Sequence, residues 1–146
     1  MASQVQSYLH VHRDMKPVAF PTDREIFEGE IASYWLEDNG ILVSVSKRPR
    51  RTVANIRENV SLVKQITANK IPPLLIYLTN SPVPDAETRK FVNQQLPSLY
   101  KAMAMVSKPG LAKFIINFLF RFTRPPIPMK QFSDDKQARA WLEQFL

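Results

Sequence analysis

Apolar, strand-like runs alternate with amphipathic, helix-like segments from Ile31 to the end of the chain, and this alternation restricts the fold more than any other feature. Strands that alternate with helices form right-handed crossovers and a mainly parallel sheet. The sequence therefore predicts an α/β protein with the element order β-β-α-β-α-β-α-β-α, a mixed but mostly parallel sheet of about five strands, and four helices. The predicted strands are IASYWLE, ILVSVS, LLIYLT, KAMAMVS and IPMKQF.

Local signals place some of these strands in the sheet. Asp38-Asn39-Gly40 separates the first two, and Asn-Gly favours a tight type I′ hairpin because both residues tolerate positive φ. The run Leu74–Thr79 is unbroken and apolar, which is typical of a strand buried on both faces, so we expect it near the centre of the sheet. Pro128 cannot donate to a ladder, so the last strand is expected at an edge.

Capping and stop signals delimit the first two predicted helices. Thr52 is the predicted N-cap of the first helix, and the Pro-Pro pair at 72–73 ends it. Asp85 is the predicted N-cap of a second helix over residues 86–96, which Pro97 ends because proline interrupts helical hydrogen bonding.

The last two predicted helices lie on either side of a proline-rich turn. The third begins near Pro109 and ends before Pro125. The fourth has Ser133 as its N-cap, with Asp134 and Asp135 in its first turn. Its apolar stripe has the i, i+3, i+4, i+7 spacing of a helix and consists of Ala138, Trp141, Leu142 and Phe145.

Length and composition suit one domain. The chain has 146 residues, of which 45% are hydrophobic and 23% charged, enough to build a hydrophobic core. We assign residues 31–146 to that domain and residues 1–30 to an N-terminal extension of uncertain structure. The start of the chain lacks the pattern of a secretory signal, and cysteine is absent, which excludes disulfides and thiolate metal sites. A cytoplasmic bacterial protein is therefore expected.

Motifs for catalysis, cofactors and metals do not stand out in the sequence. The two histidines, His10 and His12, have no carboxylates or cysteines nearby, and two ligands do not make a zinc site. The three glycines, Gly29, Gly40 and Gly110, cannot form a phosphate-binding loop or a dinucleotide fingerprint. We therefore expect a protein that is not an enzyme and that binds no cofactor or metal.

Positive charge is unevenly distributed. The net charge is +7, and eight basic residues but no acidic residue lie between Thr88 and Ser133. This bias favours anionic partners, although a solvated basic face that only aids solubility is the preferred explanation. A second basic cluster, Lys47–Arg51, lacks the interleaved aromatic residues on which bases stack. Nucleic acid is therefore not an expected partner.

The third predicted helix lies in the apolar segment GLAKFIINFLFRFTRPP, Gly110–Pro126. Its apolar run is interrupted by Asn117 and Arg121 and is far shorter than the roughly 20 residues that a bilayer requires, which excludes a membrane span. Three explanations stay open: burial in the core, an interface in a homodimer, and contact with an anionic lipid surface. The candidate residues for a hydrophobic interface are Phe118, Phe120 and Phe122.

The element order and four stretches of sequence carry a resemblance to a known fold. The chain from about Ile31 to Leu146 resembles the STAS-like domain of anti-sigma-factor antagonists, the SpoIIAA-like group, and more closely an uncharacterised bacterial SpoIIAA-like family. The resemblance implies a small, non-enzymatic, regulatory domain that acts by binding a partner. The stretches that carry it are YWLEDNGILVS, AETRKFV, AMAMVSKPGLAKFIINFLF and RPPIPMKQFSDDKQARAWLEQF.

The sequence departs from the better-known antagonists where their second helix begins. Those proteins carry an Asp-Ser-Ser-Gly-type phosphorylation site there, whereas this chain has LTNSPVPDAETR. Asp85 lies near the helix start, where an acid caps the helix or mimics a permanent charge. Loops at the carboxyl ends of strands hold ligands in α/β folds, so this loop is a candidate partner site. Its candidate residues are Thr79, Ser81, Asp85 and Arg89.

The expected function is that of a regulatory or protein-interaction module that resembles anti-sigma-factor antagonists but lacks their usual phosphorylation motif. Its protein partner is not identified by the sequence. The alternative is a domain that binds lipid or an anionic membrane surface.

Overall fold

A computed structural model describes residues 18–107 and 125–146, and six strands within these ranges form one sheet. The strands are β1 (Phe27–Glu28), β2 (Ala32–Leu36), β3 (Leu42–Ser46), β4 (Leu74–Tyr77), β5 (Met103–Val106) and β6 (Met129–Phe132). They lie in the sheet in chain order. Strands β1 to β3 pair antiparallel, and β3 to β6 pair parallel. The predicted α/β class and the mixed, mostly parallel sheet are confirmed.

Three α-helices occur in the described ranges. They are α1 (Val53–Thr67), α2 (Ala86–Leu99) and α3 (Asp135–Leu142), and a 3₁₀ turn, Glu143–Phe145, follows α3. Helix α1 connects β3 to β4, and α2 connects β4 to β5, as the predicted order requires. The helix predicted between Pro109 and Pro125 lies outside the described residues. The described ranges contain three helices, so the predicted count of four is not matched.

The sheet has one strand more than the expected five. The additional strand is β1, which comes from the segment before Ile31 and pairs with β2 through Phe27 and Tyr34. Two residues are too few to show the alternation by which a strand is recognised in a sequence. The other placements are confirmed, since β4 lies between β3 and β5 and β6 lies at an edge.

The hairpin between β2 and β3 forms, but its turn differs from the predicted type I′. That turn needs positive φ at both central residues, and among the described non-glycine residues positive φ occurs at Ala68 and Asn69, not at Asn39. The Glu37 N–H instead donates to the Ile41 carbonyl at 2.9 Å, which closes a loop of three residues that ends in Gly40 with φ of 100°. The Asn39 side chain accepts a hydrogen bond from the Ile41 N–H at 3.1 Å, which stabilises this longer loop.

Helix α1 begins as predicted but ends earlier. Thr52 is its N-cap and accepts from the Asn55 N–H at 3.1 Å, while the Asn55 side chain accepts from the Thr52 N–H at 2.8 Å. The helix ends where Ala68 and Asn69 adopt left-handed conformations. These residues, rather than the later prolines, terminate it, because a left-handed residue turns the chain out of the helix.

The ends of α2 and α3 also differ from the predictions. Asp85 caps α2 as predicted, but the helix continues through Pro97 to Leu99. Proline removes one hydrogen bond of the last turn, and the Tyr100 N–H still closes that turn on the Leu96 carbonyl at 3.0 Å. The N-cap of α3 is Asp134 rather than Ser133, and its carboxylate accepts from the Lys136 N–H at 2.8 Å.

The sheet separates two hydrophobic clusters. Helices α1 and α2 pack on one face, through residues such as Val63 and Leu96. Helix α3 packs on the other face through Ala138 and Leu142, as its apolar stripe predicts, together with residues from the segment before β1. We call the first of these the helix-pair face, and it carries the candidate site.

Candidate ligand cavity and adjoining loop

A cavity of about 170 Å³ lies between the helix-pair face of the sheet and helices α1 and α2. Side chains alternate between the two faces of a strand, and the pairing register aligns four cavity-lining residues in one row across β2 to β5. Ile76, on the central strand, is only half-buried. The cavity therefore leaves a side chain of the central strand partly exposed to solvent. The row consists of Tyr34, Ser44, Ile76 and Met105.

Apolar side chains form most of the cavity wall. Helices α1 and α2 contribute Val60 and Leu96, and the loop between β4 and α2 contributes Val83 and Pro84. We call this loop, residues 78–85, the β4–α2 loop. A mainly apolar concave wall with few polar groups is the usual composition of a small-molecule site.

Two tyrosines place neutral hydroxyls in the cavity. Tyr34 donates a hydrogen bond to Oδ1 of Asn59 at 2.9 Å, and both residues line the cavity together with Tyr100. Burial raises the pKa of Tyr34, and burial together with the neighbouring Tyr34 raises the pKa of Tyr100 well above its ordinary value. Both phenols therefore stay protonated and act as hydrogen-bonding groups.

Two further hydroxyls in the cavity wall lack hydrogen bonds. The described residues contain three buried side-chain atoms without a partner, and two of them, Ser44 Oγ and Thr79 Oγ1, belong to residues that line the cavity. The third is Oδ1 of Asn93. A buried polar atom without a partner costs about 1–3 kcal/mol, so Ser44 and Thr79 hold unused hydrogen-bonding capacity beside an apolar space.

Arg51 also lines the cavity, at the edge where the parallel strands end. Its Nη1 donates to the carbonyls of Lys47 at 2.6 Å and Pro49 at 2.8 Å, and its Nη2 donates to the Ile31 carbonyl at 2.9 Å. Burial lowers the pKa of Arg51, although an arginine stays charged.

The predicted partner residues divide between the cavity and the surface. Thr79 is buried and Ser81 half-buried, and both line the cavity. Asp85 is exposed and accepts from the Thr88 N–H at 2.8 Å as the N-cap of α2. Arg89 is half-buried and donates to the Pro84 carbonyl at 2.8 Å. The fold therefore collects all four around one loop.

The predicted hydrophobic interface lies outside the described residues. This applies to Phe118, Phe120 and Phe122, and equally to His10 and His12. In residues 18–107 and 125–146, no set of three histidine or acidic side chains is placed to hold a metal ion. Within the same two ranges, none of the helices has the length and apolar content needed to cross a bilayer.

The cavity residues Tyr34, Ser44, Ser46 and Arg51 are functional candidates that sequence reasoning missed. The available signal is in β3, LVSVS, where serines occupy alternate positions. Alternation puts both serines on the helix-pair face, where a central strand normally carries apolar side chains.

Comparison with known proteins places the chain in a family. Residues 34–146 match the family described as Domain of unknown function (DUF7793), and no curated protein matches the chain. Among solved structures, the chain is similar to an uncharacterized protein of the DUF3478 family with a SpoIIAA-like fold from Shewanella loihica PV-4. The identity is 18% and the TM-score 0.48, over 88% of this chain and 98% of that chain. Because the family match spans most of its length, the protein belongs to the DUF7793 family.

Proposed function

We propose that the protein is a non-enzymatic binding module that holds a small, mainly apolar molecule in the cavity of its helix-pair face. One observation carries this proposal: Ser44 and Thr79 present buried hydroxyls without partners to an otherwise apolar wall. Water or a ligand is needed to satisfy such groups, and a ligand with an apolar body also covers the half-buried Ile76.

The character of the polar groups supports binding rather than catalysis. The hydroxyls of Tyr34 and Tyr100 are held neutral by burial, so they are suited to orient a ligand and not to exchange protons near neutral pH. Ser44 and Thr79 have no histidine near them in the described ranges, and a serine or threonine needs an adjacent base to act as a nucleophile.

The β4–α2 loop gives the module a second, outward-facing surface. Thr79 and Pro84 face the cavity, whereas Asn80 and Asp85 are exposed and do not line it. A ligand that contacts the inner side of this loop stabilises one conformation of the loop. A protein partner that contacts the outer side binds that conformation with a different affinity from the others, so the ligand changes the affinity for the partner. We propose that a regulatory protein partner contacts this outer side.

The cavity is tested with a neutral probe, 1-octanol, because an uncharged chain reports on the apolar space alone. We expect 1-octanol to raise the thermal unfolding temperature of the natural protein. Ser44→Leu fills the cavity and removes this shift, whereas Ser61→Leu, an exposed position on α1, retains it. Ile76→Phe is a second filling variant, in case Ser44→Leu does not fold.

An unchanged unfolding temperature in the natural protein contradicts the cavity proposal. So does an equal shift in a folded Ser44→Leu protein, because the probe then binds elsewhere.

The outer surface is tested by affinity capture from the native host. Ser81→Glu and Asp85→Ala are expected to weaken capture of a protein partner, since both lie in or beside the β4–α2 loop. Unchanged capture of every partner by both variants excludes the loop as the partner site. Enrichment of anionic membrane material, in place of a protein, favours the lipid-surface alternative.

A further inference from the structure

We infer that the ligand of the cavity carries a carboxylate and that Arg51 binds it. This inference rests on the proposed function, and it assigns the chemical class of the ligand: a monocarboxylate with a short apolar tail.

Arg51 is held in place but retains hydrogen-bonding capacity. Its three hydrogen bonds go to backbone carbonyls, and a guanidinium has five N–H donors. Two donors therefore have no partner among the described residues. The carbonyls fix the orientation of the guanidinium, which reduces the entropy lost when an anion binds.

Three of the four other half-buried cations in the described residues have carboxylate partners, and the fourth, Arg89, donates to the Pro84 carbonyl. Lys47 contacts Glu28 at 2.8 Å, Arg24 contacts Asp23 at 3.1 Å, and Arg139 contacts Glu37 at 3.0 Å. Arg51 is half-buried and forms no ion pair with any acidic side chain in residues 18–107 and 125–146. A shielded cation without an anion is unfavourable. A carboxylate of a ligand would give Arg51 the negatively charged partner that the described residues do not provide.

The surroundings of Arg51 add positive potential. Arg48 and Arg50 are exposed in the same loop, and α1 begins two residues after Arg51 with no acidic residue in its first turn. The positive end of the helix dipole and the two arginines both favour an anion there.

Cavity size limits the tail of the ligand. A volume of about 170 Å³ is close to the roughly 150 Å³ of an apolar cavity that takes up benzene. An aliphatic chain of about six to eight carbons fits this space. Arg51 and Ile76 line the same cavity, so the carboxylate of such an acid can contact the guanidinium while its tail contacts the apolar wall.

The test compares three probes by isothermal titration calorimetry. Octanoate has both the carboxylate and the tail, 1-octanol has the tail alone, and acetate has the carboxylate with almost no tail. We expect octanoate to bind more tightly than either of the others. Replacing Arg51 by methionine, Arg51→Met, is expected to weaken octanoate binding roughly ten- to a hundredfold and to weaken 1-octanol binding much less, because the alcohol has no charge for the guanidinium to contact.

Controls separate a specific contact from general charge and from misfolding. Arg48→Met and Arg50→Met remove exposed charges from the same loop and are expected to change octanoate affinity less than about twofold at physiological salt. Arg51→Lys keeps the charge and is expected to restore part of the affinity. Binding of 1-octanol by Arg51→Met shows that the cavity of that variant is intact.

The outcomes distinguish the two proposals. If 1-octanol and octanoate bind equally to the natural protein and to Arg51→Met, the cavity function stands and the carboxylate inference is wrong. If neither binds, the cavity function itself fails. Acetate that binds as tightly as octanoate overturns the inference, since the anion then needs no cavity. A stable dimer in sedimentation velocity that excludes octanoate also overturns it, because a second copy then occupies the cavity.

Discussion

At the residue scale, the cavity is defined by polar atoms in apolar surroundings. Ser44 and Thr79 are buried without hydrogen bonds, whereas Thr67, which is also buried, donates to the Val63 carbonyl at 2.9 Å. A buried hydroxyl without a partner lowers stability, and one with a partner raises it. Removing each hydroxyl in turn therefore measures the cost of leaving a cavity hydroxyl without a hydrogen bond.

Replacing Thr79 by valine keeps the shape of the side chain and removes the unpartnered hydroxyl. We expect the free energy of unfolding to rise by about 1 kcal/mol, measured by urea denaturation without ligand. The matched control is Thr67→Val, which removes a satisfied hydroxyl and is expected to lower the same quantity by about 1 kcal/mol. A loss of stability in Thr79→Val of the same size as in Thr67→Val contradicts our description of Thr79.

Asp85 makes the stability of the protein depend on pH. Hydrogen bonds from the side chain and backbone of Thr88 lower the pKa of Asp85 below its ordinary value of 3.8. Because the folded-state pKa is the lower one, this stabilisation is present above pH 3.8 and is lost as pH falls through the folded-state pKa.

Replacing Asp85 by asparagine keeps an N-cap but removes the titration. We expect the difference in unfolding free energy between the natural protein and Asp85→Asn to decrease as the pH is lowered from 6 to about 2.5. Asp85→Ser, which also caps without titrating, is expected to behave in the same way. A difference that is constant over this range excludes the carboxylate as the source.

At the element scale, the ends of helices and turns depend on contacts that propensity does not include. Helix α2 continues through Pro97 because its last turn packs through Leu96 and Leu99 on the helix-pair face. The hairpin loop lengthens to three residues because the Asn39 side chain bonds to the backbone of Ile41. In both cases a nearby contact outweighs a local preference.

Pro97 is predicted to limit the stability of α2. It is exposed, so Pro97→Ala restores a helical hydrogen bond without disturbing the core. We expect the unfolding free energy to rise by about 1 kcal/mol. The stabilisation from the restored hydrogen bond exceeds the free energy lost because the unfolded chain has more conformational freedom without proline. The control, Gln94→Ala at an exposed position of the same helix, is expected to change stability by less than about 0.5 kcal/mol. A neutral or lower value for Pro97→Ala contradicts this account.

At the scale of the whole molecule, the two faces of the sheet have different roles. The helix-pair face contains the cavity, whereas the opposite face is closed by α3 and by a polar network that joins distant parts of the chain. Tyr77 donates to Asp135 at 2.8 Å, and the Arg139 guanidinium contacts both carboxylate oxygens of Glu37 at 3.0 and 3.1 Å. This network attaches α3 to β4 and to the β2–β3 hairpin.

The pair Glu37–Arg139 is predicted to couple the hairpin to α3. Both side chains are about one-quarter to one-third exposed, so the bidentate contact is only partly screened by solvent. A double-mutant cycle with Glu37→Gln and Arg139→Met is expected to give a coupling energy of about 1 kcal/mol. The pair Arg24–Asp38, in which the Asp38 side chain is 96% exposed, is measured with Arg24→Met and Asp38→Asn as the control and is expected to give less. Equal coupling in both cycles excludes a special role for the bidentate contact.

Parts of this molecule follow from its sequence alone. The order of strands and helices, the central β4, the edge strand β6, the caps Thr52 and Asp85 and the apolar stripe of α3 depend on periodicity and on neighbouring residues, which a sequence displays directly. For the same reason, residues 78–85 were recognisable as a loop at the carboxyl edge of the sheet.

The tertiary structure decided the rest. Strand β1 exists because β2 offers it an edge, and the cavity exists because the register aligns Tyr34, Ser44 and Ile76 under two helices. Arg51 becomes notable only when its surroundings are seen, since a basic loop in sequence does not show which arginine is shielded and lines the cavity. Local order is determined by interactions between near neighbours, whereas a binding site depends on distances between residues that are far apart in the chain.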